Sequence, residues 1–340
     1  MGTTALDSVI GLAHGGGGEQ MKKLIAELIL PRFANPQLAA LGDSAIIEFG
    51  QDCRLAFTTD SYVIDPPFFP GSDIGYLAVC GTVNDLAVAG AEPRYISAGL
   101  IIEEGFLCAD LERILDSMAR AAGEAGVSLV TGDTKVVSRG AADGIFINTA
   151  GIGRLIPGIN VDITSCRPGD AVLVTGPVGT HGAAVILARE DYGIEAEIES
   201  DVAPLAGLVR SLTSACPSLR MMRDPTRGGL AGVLCDIAGG ARVGVEIEEK
   251  AIPVLEAVRG VCEILGFDPF YLANEGVLVA VVPEEVKDKA LAALRSSGAP
   301  LAREIGRITD EKLKTVTVKS VVGGSRILLP PGGELLPRIC

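Results

Sequence analysis

An α+β fold in two domains is what this sequence predicts, and three observations carry that expectation. Apolar runs of strand length and amphipathic helical patterns are mixed without a strict strand–helix alternation, which points to α+β layers rather than a doubly wound sheet. Residues 155–170, with Pro157, Gly158, Pro168 and Gly169, divide the chain near its middle. A length of 340 residues suits two domains of about 100–200 residues each.

The first segment, 1–40, holds His14-Gly15-Gly16-Gly17-Gly18 and then a helix over 19–30. Four successive glycines hold no single conformation on their own, so this loop is mobile or is ordered by a ligand. The N-terminal domain, 41–156, opens with short strands at 45–49 and 54–59 and an apolar helix over 72–90. A strand at 95–102 follows, then a helix over 110–125 with Leu111, Ile114, Leu115 and Met118 at helical spacing. Strands at 127–137 and 144–152 close this half.

The second domain, 157–329, opens with a strand at 171–175, then Gly176-Pro177-Val178-Gly179 and a helix starting at 180. Helices over 202–213 and 228–238 precede a strand at 243–247, a helix at 254–265, a strand at 276–282 and a helix at 284–296. Short strands at 305–308, 313–318 and 326–329 end it. Residues 330–340 read as a flexible tail, because their Pro and Gly punctuation forbids a regular element. The ten residues beyond Pro330 extend to about 35 Å, enough to enter a cleft or withdraw from it.

Composition narrows the function. With 29 Lys and Arg against 43 Asp and Glu the formal charge is −14, which argues against nucleic acid and against anionic membranes. No apolar run approaches the length needed to span a bilayer and no targeting segment is visible, so a soluble, cytoplasmic protein is expected. Two histidines, His14 and His181, are too few for His-rich transition-metal sites. None of the eight cysteines forms a C-x-x-C pair, and seven read as reduced, mostly buried thiols. The chain has no Walker P-loop, no Gly-x-Ser-x-Gly elbow and no G-x-G-x-x-G after a strand.

What remains is a set of carboxylates at the ends of apolar segments: Asp43, Asp60, Asp85 and Asp133. Singly, Asp43, Asp60 and Asp133 also suit turns. Asn84-Asp85 interrupts an otherwise apolar helix, where a carboxylate is costly to bury unless it is paired or binds metal. Converging, four carboxylates would repel one another unless a hard cation such as Mg²⁺ sat between them. Met222-Arg223-Asp224-Pro225-Thr226-Arg227-Gly228-Gly229 leads into a helix, either as a phosphate site or as a plain start capped by Thr226. Glu275, in Asn274-Glu275-Gly276, is either a solvated turn residue or a base at a cleft. Cys340, on the tail, is either a harmless exposed thiol or a nucleophile carried on an arm.

Together these pieces resemble the hydrogenase expression/formation protein HypE family. The resemblance rests on the Gly-rich start, Leu41-Gly42-Asp43-Ser44-Ala45, Thr58-Thr59-Asp60-Ser61-Tyr62-Val63 and Gly81-Thr82-Val83-Asn84-Asp85-Leu86. It continues through Thr131-Gly132-Asp133-Thr134-Lys135-Val136, Asp224-Pro225-Thr226-Arg227-Gly228-Gly229 and Asn274-Glu275-Gly276, and ends on Pro337-Arg338-Ile339-Cys340. The earlier motifs are shared with aminoimidazole ribonucleotide synthetase, selenophosphate synthetase and thiamine-monophosphate kinase.

The resemblance implies a two-domain fold like aminoimidazole ribonucleotide synthetase, whose N-terminal domains form a β-barrel across a homodimer. It implies ATP and Mg²⁺ as cofactors, the carbamoyltransferase HypF as partner, and ATP-dependent dehydration of an S-carbamoyl group on Cys340 to a thiocyanate. The cyano group then passes to iron on a HypC–HypD complex for [NiFe]-hydrogenase. Carried over by motif, the catalytic residues are Cys340, Glu275 as base and Lys135. The nucleotide contacts are His14, Gly15, Gly16, Gly17, Asn84, Gly132, Thr134 and Asp224, and the metal ligands are Asp43, Asp60, Asp85 and Asp133. The alternatives are selenophosphate synthetase, whose reactive residue lies near the N-terminus whereas the first cysteine here is Cys53, and a non-catalytic carrier, against which the aspartate set speaks.

Overall fold

The computed structural model describes residues 10, 11, 14, 18–33, 35–50, 53–190, 192–332 and 338–340. Helix α1 (Glu19–Leu24) runs through a π-helical turn, Ile25–Ile29, into α2 (Leu30–Phe33). The helix therefore passes the expected end at residue 30. The wide turn holds Glu27, whose carbonyl an α-helical Pro31 ring would strike. Helix α3 (Pro36–Ala39) starts on Asn35, whose Oδ1 accepts from the Leu38 N–H at 2.9 Å.

The first half is built on five strands: β1 (Ala45–Glu48), β2 (Arg54–Tyr62), β5 (Ala91–Glu103), β6 (Ser128–Val137) and β7 (Ile145–Leu155). A two-residue ribbon, β3 (Phe68–Phe69) with β4 (Ser72–Asp73), comes between β2 and β5. The sheet order is β1-β2-β7-β5-β6, with β6 parallel to β5 at the edge. Helix α4 (Ile74–Val88) lies on this sheet and packs against α5 (Cys108–Ala125). Asp73 caps α4, its Oδ1 accepting from the N–H groups of Gly75 and Tyr76 at 2.8 and 3.0 Å. Gly75 lets α5 approach, since a Cβ there would stand 2.4 Å from the Ile114 carbonyl oxygen. In α5 the buried face is Ile114, Ser117, Met118 and Ala121, whereas Leu115, expected inside, is exposed.

The second half is a seven-stranded sheet in the order β14-β13-β10-β12-β8-β11-β9. Its strands are β8 (Ala171–Val174), β9 (Met221–Arg223), β10 (Gly244–Glu248), β11 (Val279–Val282), β12 (Arg303–Thr309), β13 (Thr315–Lys319) and β14 (Ser325–Leu328). The helices are α6 (Thr180–Arg189), α7 (Ala206–Ala215), α8 (Gly229–Ala241), α9 (Glu256–Leu265) and α10 (Lys287–Ser296). Strands β8 and β11 are apolar throughout because both faces are covered. Leu173, Ala280 and Val282 join the core that holds the buried residues of α4, α7 and α10. Val172, Val174, Val279 and Val281 join the core under α8.

The first of these cores spans both halves, taking in Leu77 and Val83 of α4 with Leu205, Leu212 and Met222, and it also receives Ile339 and Cys340. Strand β9 had no signal of its own, being three residues ahead of Asp224-Pro225. Among the described residues no helix is long and apolar enough to cross a membrane.

Candidate functional site

Four carboxylates lie within one another's electrostatic reach where α4, the β1–β2 hairpin and the segment after β9 come together. Asp43 precedes β1, Asp60 lies two residues before the end of β2, Asp85 lies on α4 and Asp224 follows β9. Thr58 ties them together: its Oγ1 stands 2.9 Å from the Asp43 carbonyl oxygen and 3.0 Å from Asp85 Oδ2. Ser44 donates to the Asp85 carbonyl at 3.1 Å. Arg223 bridges Asp43 and Asp236 at 2.8 and 3.1 Å, and Lys22 of α1 reaches Asp236 at 2.6 Å. The N-terminal helix is thereby tied to the rim of the acidic cluster.

The electrostatics are those of anions lacking enough positive charge. Burial pushes the Asp85 carboxyl well up, and Asp224, Asp43 and Asp60 push it further. Asp224 is raised to about 7 by burial and then by Asp43. Asp43 is raised by burial against the opposing pull of Arg223. Asp224 Oδ2 and Glu275 Oε1 are both buried without a hydrogen-bond partner. Among the described residues no three His, Cys, Asp or Glu side chains are gathered closely enough to hold a metal ion. Asp43 instead faces the Arg223 guanidinium. The donor set nevertheless fits a hard cation, which would pair the orphaned Asp224 oxygen and relieve the mutual repulsion.

Residues 338–340 lie inside this cleft. Cys340 is 7 % exposed, and Arg227 Nε donates to its Sγ at 3.0 Å. Arg227 also stands 3.8 Å from Asp60. Burial raises the thiol to about 12; Arg227 works against this, and Glu275 and Asp60 add to it. Glu275 is 2 % exposed and pushed well up by burial, then by Asp224, Asp201 and Asp60, with Arg227 opposing. The Tyr62 hydroxyl, also buried and unpartnered, belongs to the same cluster and is raised by burial and by Asp60, Asp85 and Glu275. Gly81 makes room for it: a Cβ there would fall 2.2 Å from Tyr62 Oη.

The structure therefore gathers Cys340, Glu275, Asp224, Asp43, Asp60 and Asp85. The other sequence-derived candidates lie as follows. Asn84, expected to bind nucleotide, is fully buried and committed to holding the two halves together. Its Nδ2 donates to the Ala203 and Glu275 carbonyls, both at 3.1 Å, and its Oδ1 accepts from the Leu205 N–H at 2.7 Å. Asn84→Ala is expected to cost about 3 kcal/mol or more, since each buried group left unpaired costs about 1–3 kcal/mol. Urea unfolding checks this, and an unchanged midpoint would refute the clamp.

Asp133 does not join the other three within the chain. It is exposed on the edge strand β6 and pairs with Lys135 at 2.6 Å, which holds its carboxyl below the usual range. Thr134 and Lys135 share that exposed strand. Gly132 has a packing reason, because a Cβ would meet the Ala98 carbonyl oxygen on β5 at 2.6 Å. Gly15, Gly16 and Gly17 lie outside the described residues. His14 is buried, its Nδ1 accepting from the Gly11 N–H at 3.1 Å. Thr226 is not the helix cap: Gly228 fills that place at φ +83°, and Gly229 follows under the Phe270 and Leu272 carbonyls, where a Cβ would not fit.

Sequence reading missed Tyr62, His181 and Arg189. Tyr62 sits at an inward position of β2 and faces a glycine in a helix, a pairing visible only once both are folded.

The AIR synthase related protein family matches in both parts, its N-terminal domain over residues 41–155 and its C-terminal domain over 167–319. This defines the class to which the fold and the acidic cleft belong. The carbamoyl dehydratase HypE of Azotobacter vinelandii is 48% identical over 332 residues, covering 97% of this chain and 96% of that protein. A crystal structure of a HypE–HypF complex superposes with a TM-score of 0.86 at 47% identity, covering 91% of this chain and 99% of that one. A HypE structure in complex with ATP gives 0.81 at 45% identity, covering 97% and 99%. The chain belongs to the HypE family of carbamoyl dehydratases.

Proposed function

We propose that this protein uses ATP to dehydrate an S-carbamoyl group on Cys340 to a thiocyanate, the source of the cyanide ligand on [NiFe]-hydrogenase iron. The observation that carries it is the position of Cys340, with its sulfur 3.0 Å from Arg227 and within the field of buried Glu275. An amide oxygen is a poor leaving group, and transfer of the ATP γ-phosphoryl group to it makes a good one. ADP leaves, Glu275 takes one carbamoyl N–H proton, and the other leaves on the departing phosphate as the C≡N bond forms. A carboxyl with a raised pKa is the stronger base toward so weak an acid, and Arg227 favours its ionised form.

Asp43, Asp60 and Asp85, with Asp133 as the fourth, are the residues that would hold Mg²⁺, and Asp224 lies beside the first three. A bound Mg²⁺ supplies charge neutralisation for the triphosphate. The Gly-rich loop around His14 suits the phosphates.

Loading requires a different tail position. Seated, the Cys340 thiol is enclosed and titrates near 12, a state poor in thiolate. We infer that the tail withdraws to receive the carbamoyl group on HypF and returns for dehydration, and that HypC–HypD takes the cyano group. The working unit is a homodimer whose N-terminal sheets close a barrel. The support is the exposed edge strand β6 and the exposed Phe57, Tyr95, Ile101, Leu129 and Ile152 on that sheet. Asp133, Thr134 and Lys135 lie on the strand a second copy would cover.

The test is direct. HypF-carbamoylated protein incubated with Mg-ATP is expected to lose the mass of one water and to form ADP and phosphate in equal amounts. An unchanged mass after complete ATP hydrolysis overturns the dehydration.

A further inference from the structure

The carbonyls of the last three residues all meet donors. Cys340 O accepts from the Val63 N–H at 3.1 Å. Arg338 O accepts from Arg189 Nη2 at 2.8 Å and from the Asp65 N–H at 3.4 Å. Ile339 O accepts from His181 Nε2 at 2.8 Å. His181 and Arg189 lie on one helix, α6, so a single rigid element reads two consecutive peptide groups.

The His181 ring has one arrangement consistent with its neighbours. A carbonyl only accepts, so Nε2 carries hydrogen. Ser200 Oγ stands 2.8 Å from Nδ1 and itself accepts from the Val202 N–H at 3.2 Å, leaving its hydroxyl hydrogen to point at Nδ1. Phe69 packs edge-on to the ring with centroids 5.5 Å apart, and the residue is fully enclosed. Burial holds the imidazole below its ordinary value, with Asp201 pulling the other way. Because Nε2 addresses a peptide oxygen rather than the sulfur, His181 does not act as a base on Cys340.

We propose that His181 is a positioning residue: its Nε2–H clamps the Ile339 carbonyl and thereby sets the direction in which Cys340 projects, toward Arg227 and Glu275. Arg338 turns the chain at φ +56°, so the direction of Cys340 depends on how the peptide that follows is held. The Arg338 and Cys340 oxygens are held by Arg189, Asp65 and Val63, and His181 fixes the Ile339 carbonyl between them.

Two substitutions separate hydrogen bonding from filling. His181→Phe keeps the volume and loses the donor, whereas His181→Gln can still donate at comparable reach. The first readout is the alkylation rate of Cys340 at pH 8, followed peptide by peptide. We expect H181F to be about tenfold faster than wild type, the loss of one buried hydrogen bond, and H181Q to be within about twofold. Rates equal to wild type in H181F, or equally raised in both variants, overturn the proposal. The second readout rests on the proposed dehydration: its single-turnover rate falls about tenfold in H181F with ATP affinity kept, and recovers in H181Q. Alkylation needs no ATP chemistry, so failure of the dehydration reading leaves the first readout intact. A measurement on the unmodified chain guards against misfolding variants. With two histidines, His14 and His181, nitrogen NMR of the rings resolves each, and His181 should show a slowly exchanging Nε2–H. An Nδ1–H tautomer, or fast exchange at Nε2, refutes the clamp.

Discussion

Glu275→Gln is expected to halt dehydration while leaving the protein able to hold a carbamoyl group, so that S-carbamoylated chain accumulates in the presence of Mg-ATP. The loss should be about 10²–10⁴-fold, the usual contribution of a positioned general base. Gln matches Glu in shape, and burial and three neighbouring acids push the carboxyl up, so removing its charge relieves repulsion within the cluster. The substitution therefore removes little that the fold relies on, and thermal stability should be kept or raised. This separates a chemical role from a structural one. A variant that dehydrates within about threefold of wild type would remove Glu275 from the mechanism.

Cys340→Ala should abolish both acceptance of the carbamoyl group and formation of thiocyanate, with no contribution from the four buried cysteines. Cys80, Cys166, Cys216 and Cys262 are buried elsewhere, and those four thiols are raised by burial above the ordinary range. ATP affinity should stay within about threefold of wild type, since the substitution removes one sulfur and one Arg227 hydrogen bond and leaves the carboxylates in place. Isothermal titration with Mg-ATP measures this. A collapse of affinity would mean that the tail is part of the nucleotide site rather than a separate arm.

The elements themselves were largely legible because their signals are local. The apolar helix, the amphipathic helix and the all-apolar strands carry period and composition within a few residues. On α5 only Leu115 departs from the expected buried face, because it lies beside the stripe rather than on it. Among the site residues, Asp43, Asp60, Asp85, Glu275 and Cys340 stood out because each is polar or reactive against an apolar background.

Roles were less legible than positions. Asn84 and Asp85 are adjacent in sequence and equally conspicuous, yet successive helix residues face different ways. Asp85 faces the carboxylate cluster, while Asn84 satisfies a backbone N–H and two carbonyls, the farthest of them 191 residues away. Asp133 shares the character of the other aspartates, and β6 turns out to be an edge. Asp224 comes from the second half and is brought among them by β9.

By itself, then, the sequence determined the layer types, the aliphatic cores, the acidic inventory and the reactive cysteine, all functions of residue type and short-range spacing. The tertiary structure decided which carboxylates face one another, that Asn84 hydrogen-bonds across the two halves, and that His181 meets a carbonyl 158 residues away. Hydrogen bonds and charge–charge interactions act over a few ångströms of space, and separation along the chain carries no information about that distance until the two sheets are packed.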